Sequence, residues 1–203
     1  MNKIIVNQIA SQNLNTETYI QTPIGKLRFY STTSDGSVEE INILQCDVGQ
    51  LLPERMRVPT TIAVLLHFSV MKPIKEFNFC CKWEDLKTSG YGSSGEGLDA
   101  WEWQHEDCIV IIGTEDPVYL NHRIPSVPAE LFEPSYYPTT MEENEIRICL
   151  KELPVGKSYS LHYVISWNDF PEPEGSFCWL NVDLPHKLVR KLLTKLLVDN
   201  SSL

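Results

Sequence analysis

Ser158-Tyr159-Ser160-Leu161-His162-Tyr163-Val164-Ile165-Ser166-Trp167 alternates without a break. In an extended chain Tyr159, Leu161, Tyr163, Ile165 and Trp167 fall on one face. Ser160, His162, Val164 and Ser166 fall on the other, wetter face. Such a period of two is the mark of a strand covered on one side.

The segments around it read the same way. Thr60 to Val70 (TTIAVLLHFSV) is a β-branched and aliphatic run bounded by Pro59 and Pro73, expected as a central strand buried on both faces. Cys108 to Ile112 (CIVII) is a second buried run. Gly25 to Ser31, Val38 to Val48, Phe77 to Trp83, Trp101 to Gln104 and Glu145 to Leu150 have strand character. Phe177 to Leu184 (FCWLNVDL) reads as a strand paired with Ser158–Trp167 through the turn at Pro171–Gly175.

Helical periodicity is confined to the C-terminus, residues 185–200. There Leu188, Val189, Leu192, Leu193, Leu196 and Leu197 make one stripe opposite Lys187, Arg190, Lys191 and Lys195. Residues 117–142 hold five prolines and form a long connection. The expectation is a mainly β chain, residues 1–203 forming a single β-sandwich-like domain of about nine strands with a C-terminal amphipathic helix.

Leu153-Pro154-Val155-Gly156-Lys157-Ser158-Tyr159-Ser160-Leu161 resembles the corner of fibronectin type III-like β-sandwiches. In that family a tyrosine hydroxyl at this corner ties the chain to nearby backbone. The resemblance covers nine residues, implies a sandwich, and carries no function.

Composition excludes several classes. Of 203 residues 42% are hydrophobic and 22% charged, which is unlike a disordered chain. No apolar run reaches the roughly 20 residues of a bilayer span. Seventeen basic against 27 acidic residues give a net charge of −10, which disfavours nucleic acid and anionic membrane as partners. The opening residues Met1 to Gln8 lack the apolar length of a signal peptide, so the expected location is cytoplasmic, with Cys46, Cys80, Cys81, Cys108, Cys149 and Cys178 as reduced thiols.

Motifs for chemistry are sparse. Gly90-x-Gly92-x-x-Gly95 has the letters of a dinucleotide fingerprint, but an acidic, strand-like segment follows where a helix N-terminus is needed. His105-x-x-Cys108, with Cys80, Cys81 and His122, lacks the paired spacing of a zinc site. Neither a catalytic residue, a metal nor a cofactor is therefore expected.

The charge is blocky. Residues 1–87 are neutral, while residues 88–122 hold seven acids and no Lys or Arg. That block also contains Tyr91, Trp101, Trp103 and Tyr119. Acids interleaved with Trp and Tyr point to a surface for a basic protein. The leading expectation is a non-enzymatic inhibitor of the immunity or antitoxin kind acting on a basic partner such as a nuclease. Its contact residues would be Glu96, Asp99, Trp101, Glu102, Trp103, Glu106 and Asp107. The alternatives are a small-ligand or carbohydrate-binding sandwich using exposed aromatics, and a hydrolase or metal protein built around His105, Cys108 and His162.

Overall fold

The computed structural model describes residues 17–34, 38–86, 88–95, 97–105, 108–125, 137–142, 144–169 and 176–200. In chain order its elements are β1 (Glu17–Thr22), β2 (Gly25–Thr33), β3 (Val38–Asp47), β4 (Thr60–Val70), β5 (Ile74–Glu84), β6 (Gly90–Gly95), β7 (Leu98–His105), β8 (Cys108–Glu115), α1 (Pro117–Arg123), β9 (Thr139–Glu142), β10 (Glu145–Leu153), β11 (Ser158–Asp169), α2 (Ser176–Val182) and α3 (His186–Asn200). A five-stranded sheet runs β1-β2-β5-β10-β9 and a six-stranded sheet runs β3-β4-β11-β8-β7-β6. The pairings within both sheets are antiparallel.

The main core lies between the sheets. Leu27, Phe29, Phe77, Phe79, Cys81, Trp83, Ile146 and Ile148 from one sheet meet Leu66, Phe68, Trp103, Ile112, Leu161, Tyr163 and Ile165 from the other. These are alternate residues of their strands, as the period of two requires. Phe68 stacks on Phe77 at 3.9 Å, and Trp83 meets Trp103 edge-on at 5.3 Å. Tyr163 carries a polar group across this layer. Its hydroxyl donates to the Phe79 carbonyl at 2.9 Å and lies 3.3 Å from that of Ile146.

A second apolar cluster covers the opposite face of the six-stranded sheet. Ala63, Leu65, Ala100, Ile109, Ile111 and Val164 pack there against Cys178 and Val182 of α2, Leu184, and Val189 of α3. The architecture is therefore sheet, sheet, helix pair. This explains why Thr60–Val70 and Cys108–Ile112 are apolar on both sides: β4 and β8 lie inside the six-stranded sheet with a core on each face.

Four sequence expectations change. The described strands number eleven, not about nine, because Glu17–Thr22, the Gly/Ser-rich Gly90–Gly95 and Thr139–Glu142 also pair while Phe177–Leu184 drops out. Phe177–Leu184 is not a strand: residues 176–182 form α2, which buries Cys178, Asn181 and Val182 and exposes Phe177 and Leu180. Over seven residues the apolar spacings of a helix and a strand overlap, and packing onto the sheet decides between them. The connection 117–142 contains α1 and β9. At the fibronectin-like corner, Gly156 takes the turn with φ +77° and donates to the Val70 carbonyl at 2.8 Å. The Tyr159 ring packs on Phe68, and the hydroxyl that ties one sheet to the other belongs to Tyr163, four residues on.

Helix α3 covers residues 186–200 as its stripe suggests. Val189 is buried, whereas Leu188 points to solvent. Among the described residues no helix is long and apolar enough to cross a membrane. No disulfide links the six cysteines, five of which are buried.

Candidate functional site

β11 outruns its neighbour β8 at one end. The last paired residues there are Val164 and Gly113, so the segment from Ser158 to Tyr163 lies beyond the ladder. Arg123, from the last turn of α1, fills this gap. It donates to the Ser160 carbonyl at 2.8 Å and forms a bidentate ion pair with Glu115 at the end of β8. Thr114 donates to the His162 carbonyl at 2.7 Å. Backbone groups left without a strand partner are thus satisfied by side chains.

Ser160 and His162 point away from the inter-sheet core, into the space closed by the α2–α3 connection. His186, the first residue of α3, descends onto both. Its Nε2 lies 2.8 Å from Ser160 Oγ and its Nδ1 lies 3.0 Å from His162 Nδ1. His162 Nε2 lies 3.3 Å from the Leu184 carbonyl.

Hydrogen-bond chemistry orders this chain. A carbonyl only accepts, so His162 Nε2 carries the proton. Neutral His162 then accepts at Nδ1 from His186 Nδ1–H. Neutral His186 in turn accepts at Nε2 from the Ser160 hydroxyl. Burial holds both imidazoles below the usual histidine pKa, and for His186 the neighbouring His162 and Arg123 push the same way. Both are therefore neutral at pH 7.

His162, His186, Glu115, Arg123, Thr114, Tyr119, His122, Asp183 and Lys187 line a cavity of about 390 Å³, with Leu98, Val182, Leu184 and Pro185 among its apolar walls. Ser160 is buried behind His186 and does not line it. The chain has the order of a serine–histidine relay, but its serine is turned away from the space where a substrate would sit.

No family, characterised protein or solved structure matches this chain.

The residues expected as a contact surface lie elsewhere. Asp99, Trp101, Glu102 and Trp103 are all buried on β7, while Glu96, Glu106 and Asp107 fall outside the described residues. β7 is an inner strand of the six-stranded sheet, so Trp101 and Trp103 face the inter-sheet core and Glu102 faces α2. The acids there are internal ties. Glu102 accepts from Trp179 Nε1 at 2.6 Å, and Asp99 accepts from the Tyr137 hydroxyl at 3.0 Å. Asp116 caps α1 by accepting from the Tyr119 amide at 2.9 Å, and also takes the Gly97 amide at 3.0 Å.

The other expectations divide similarly. Trp83, Trp101 and Trp103 are buried, which leaves them no place in an aromatic ligand groove. His105 and Cys108 pair across the end of the β7–β8 hairpin. They are not brought to His162, whose neighbours are instead Glu115 and His186. The sequence signal for His186 was faint: a histidine directly after Pro185, at the start of a helix. The signal for α1 was clearer, since Asp116-Pro117 is a cap followed by proline at the first helical position.

One further surface stands out. β6, one edge of the six-stranded sheet, reads Gly-Tyr-Gly-Ser-Ser-Gly, without charge or proline. The other three edges are blunted: β1 carries Glu17, β3 has a bulge between Val38 and Ile41, and β9 has four residues and ends at Glu142. Tyr91 on β6 and Tyr119 on α1 are 58% and 54% exposed, the highest values among the exposed large hydrophobics. Tyr91 stands opposite Glu102 across the β6–β7 pair, and that carboxylate raises its pKa.

Proposed function

We propose that the protein is a non-enzymatic, protein-binding protein that meets a basic partner at the β6 edge, in the manner of an immunity or antitoxin-like inhibitor. The observation that carries this reading is the contrast among the four sheet edges. Among the described residues β6 alone lacks a charge, a bulge or the extreme shortness that keeps an edge from pairing. An extended segment of a partner would add to β6 by main-chain hydrogen bonds, with Tyr91 as the side-chain anchor. Helix α2, whose Trp179 bonds Glu102 opposite Tyr91, exposes Phe177 and Leu180. The net charge of −10 favours encounter with a cationic protein. Localisation in a cytoplasm with reduced thiols belongs to the same proposal.

The test starts from an extract of the native source, with elution by a salt gradient. A stoichiometric basic protein is expected, released as salt rises. Calorimetric titration then compares wild type with Tyr91→Lys, which puts a charge on the edge. A loss of about tenfold or more in affinity supports the reading. Equal affinity, or the absence of any basic partner, rejects it.

A further inference from the structure

Glu115, His162 and His186 each present one donor atom, and these three atoms lie within 4.8 Å of one another. His162 Nδ1 and His186 Nδ1 are 3.0 Å apart, and Glu115 Oε2 is 3.9 Å from His162 Nδ1. The three residues come from β8, β11 and α3, and all line the same cavity. We propose that they form a binding site for one zinc-class divalent transition-metal ion, whose remaining coordination position opens into the cavity.

Three features support this. First, the donor set is two imidazoles and a carboxylate, the set that open zinc sites use with a fourth position left for water or ligand. At Zn–N and Zn–O lengths of about 2.0–2.2 Å, neighbouring ligand atoms in a tetrahedron stand about 3.3–3.5 Å apart. The two imidazoles are already near that spacing, and Glu115 Oε2, at 3.9 Å from His162 Nδ1, stands slightly outside it.

Second, each imidazole has its other nitrogen held by the protein. His162 Nε2 is anchored on the Leu184 carbonyl and His186 Nε2 on Ser160 Oγ. Metal-ligating histidines are oriented in this way. The Leu184 contact also leaves the His162 Nδ1 lone pair directed at the site. Arg123 fixes the Glu115 carboxylate from the side through its two-pronged bond.

Third, binding needs no proton to be lost. Without metal, one proton sits between the two Nδ1 atoms, on His186. On binding, that proton transfers to His186 Nε2, where Ser160 Oγ turns to accept it, and His186 Nδ1 is freed to ligate. His162 keeps its proton on Nε2 throughout. The protein charge is unchanged, and the site gains the two positive charges of the ion beside Arg123 and Glu115.

The test uses the full chain, stripped with a chelator and titrated with Co²⁺ and then Zn²⁺. One equivalent of Co²⁺ is expected to give the visible absorption of a low-symmetry nitrogen and oxygen site, displaced by Zn²⁺. His186→Ala is expected to lower affinity at least 100-fold, with circular dichroism confirming that it folds. Ser160→Ala is expected to lower it about 10- to 100-fold by releasing the His186 ring. If His186→Ala does not fold, zinc-edge X-ray absorption of the wild type decides, with imidazole scattering expected. No stoichiometric uptake, a sulfur-to-cobalt charge-transfer band from the cysteines, sulfur scattering at the zinc edge, or undiminished binding by folded His186→Ala would each overturn the proposal. Partner binding at β6 is read in a separate titration, so failure of either idea leaves the other standing.

Discussion

Trp179 of α2 donates its indole Nε1–H to the Glu102 carboxylate of β7 at 2.6 Å. The acid is buried, yet it sits one position from two tryptophans on a strand that would otherwise read as an exposed aromatic and acidic stripe. The bond fastens α2 to the six-stranded sheet, and 77 residues separate its two ends.

Removing the donor leaves a buried carboxylate short of a partner. Trp179→Phe is expected to destabilise the fold by about 1.5–3 kcal/mol, the range for hydrogen bonds to charged groups. Glu102→Gln keeps an acceptor and is expected to cost less. Urea unfolding of the two variants and of the double mutant measures the coupling.

Asp99 is 1% exposed and accepts from Tyr137. Asp99→Lys puts an uncompensated cation in that place and is expected to cost about 3–5 kcal/mol. The readout is soluble yield and thermal melting, with Asp99→Asn as the mild control. If Asp99→Lys melts like wild type, the buried placement of β7 is wrong.

Gly90 lies opposite Trp103, and Gly92 opposite Trp101, across the β6–β7 pair. Each indole lies over its glycine: a Cβ on Gly90 would stand 2.4 Å from Trp103 Nε1, and one on Gly92 2.7 Å from Trp101 Nε1. Aromatic cover of strand glycines stabilises sheet edges. Gly90→Ala and Gly92→Ala must displace core indoles, and a loss of about 1–3 kcal/mol each is expected. Near-ultraviolet circular dichroism and tryptophan fluorescence should change with the melt.

The pH dependence follows from the histidine pair. In metal-free protein, burial depresses the pKa of His162 and His186 below their unfolded values, with Glu115, Arg123 and Arg190 as the charged neighbours. The unfolded chain therefore takes up protons first as pH falls. The stability that rests on neutral imidazoles is fully present above the unfolded pKa of about 6.5 and is lost as pH drops below it. For His186, pushed down to about 2, the slope approaches about 1.4 kcal/mol per pH unit, and His162 adds to it in the same direction. Thermal melts between pH 7.5 and 5 are expected to fall, and His186→Gln should flatten the slope. Unchanged slopes would mean that the pair is not buried and neutral.

How far the sequence reaches is visible along β11. Its alternation placed Leu161, Tyr163 and Ile165 in the core correctly, because a strand allows its side chains only two directions. The same alternation put Ser160, His162 and Ser166 on a wetter face, and there it failed. All three are buried beneath α2 and α3: Ser160 and His162 hold His186 of α3, while Ser166 lies within 3.4 Å of Thr61 of β4, which itself bonds Asn181 of α2 at 2.9 Å. A polar strand face faces either water or a polar helix face, and period alone does not distinguish them.

The fold class, the central strands Thr60–Val70 and Cys108–Ile112, and the C-terminal helix were legible because each rests on local spacing of apolar residues. The candidate cation site was not, since its ligands lie at positions 115, 162 and 186 and share no motif. The sequence also counted the acids of residues 88–122 but not their surroundings. Four of the seven turn inward, where Trp179, Tyr137 and Arg123 or the backbone amides of Gly97 and Tyr119 donate to them. A side chain's identity sets what it requires when buried; only the tertiary structure supplies the partner, and with it the decision between core and surface.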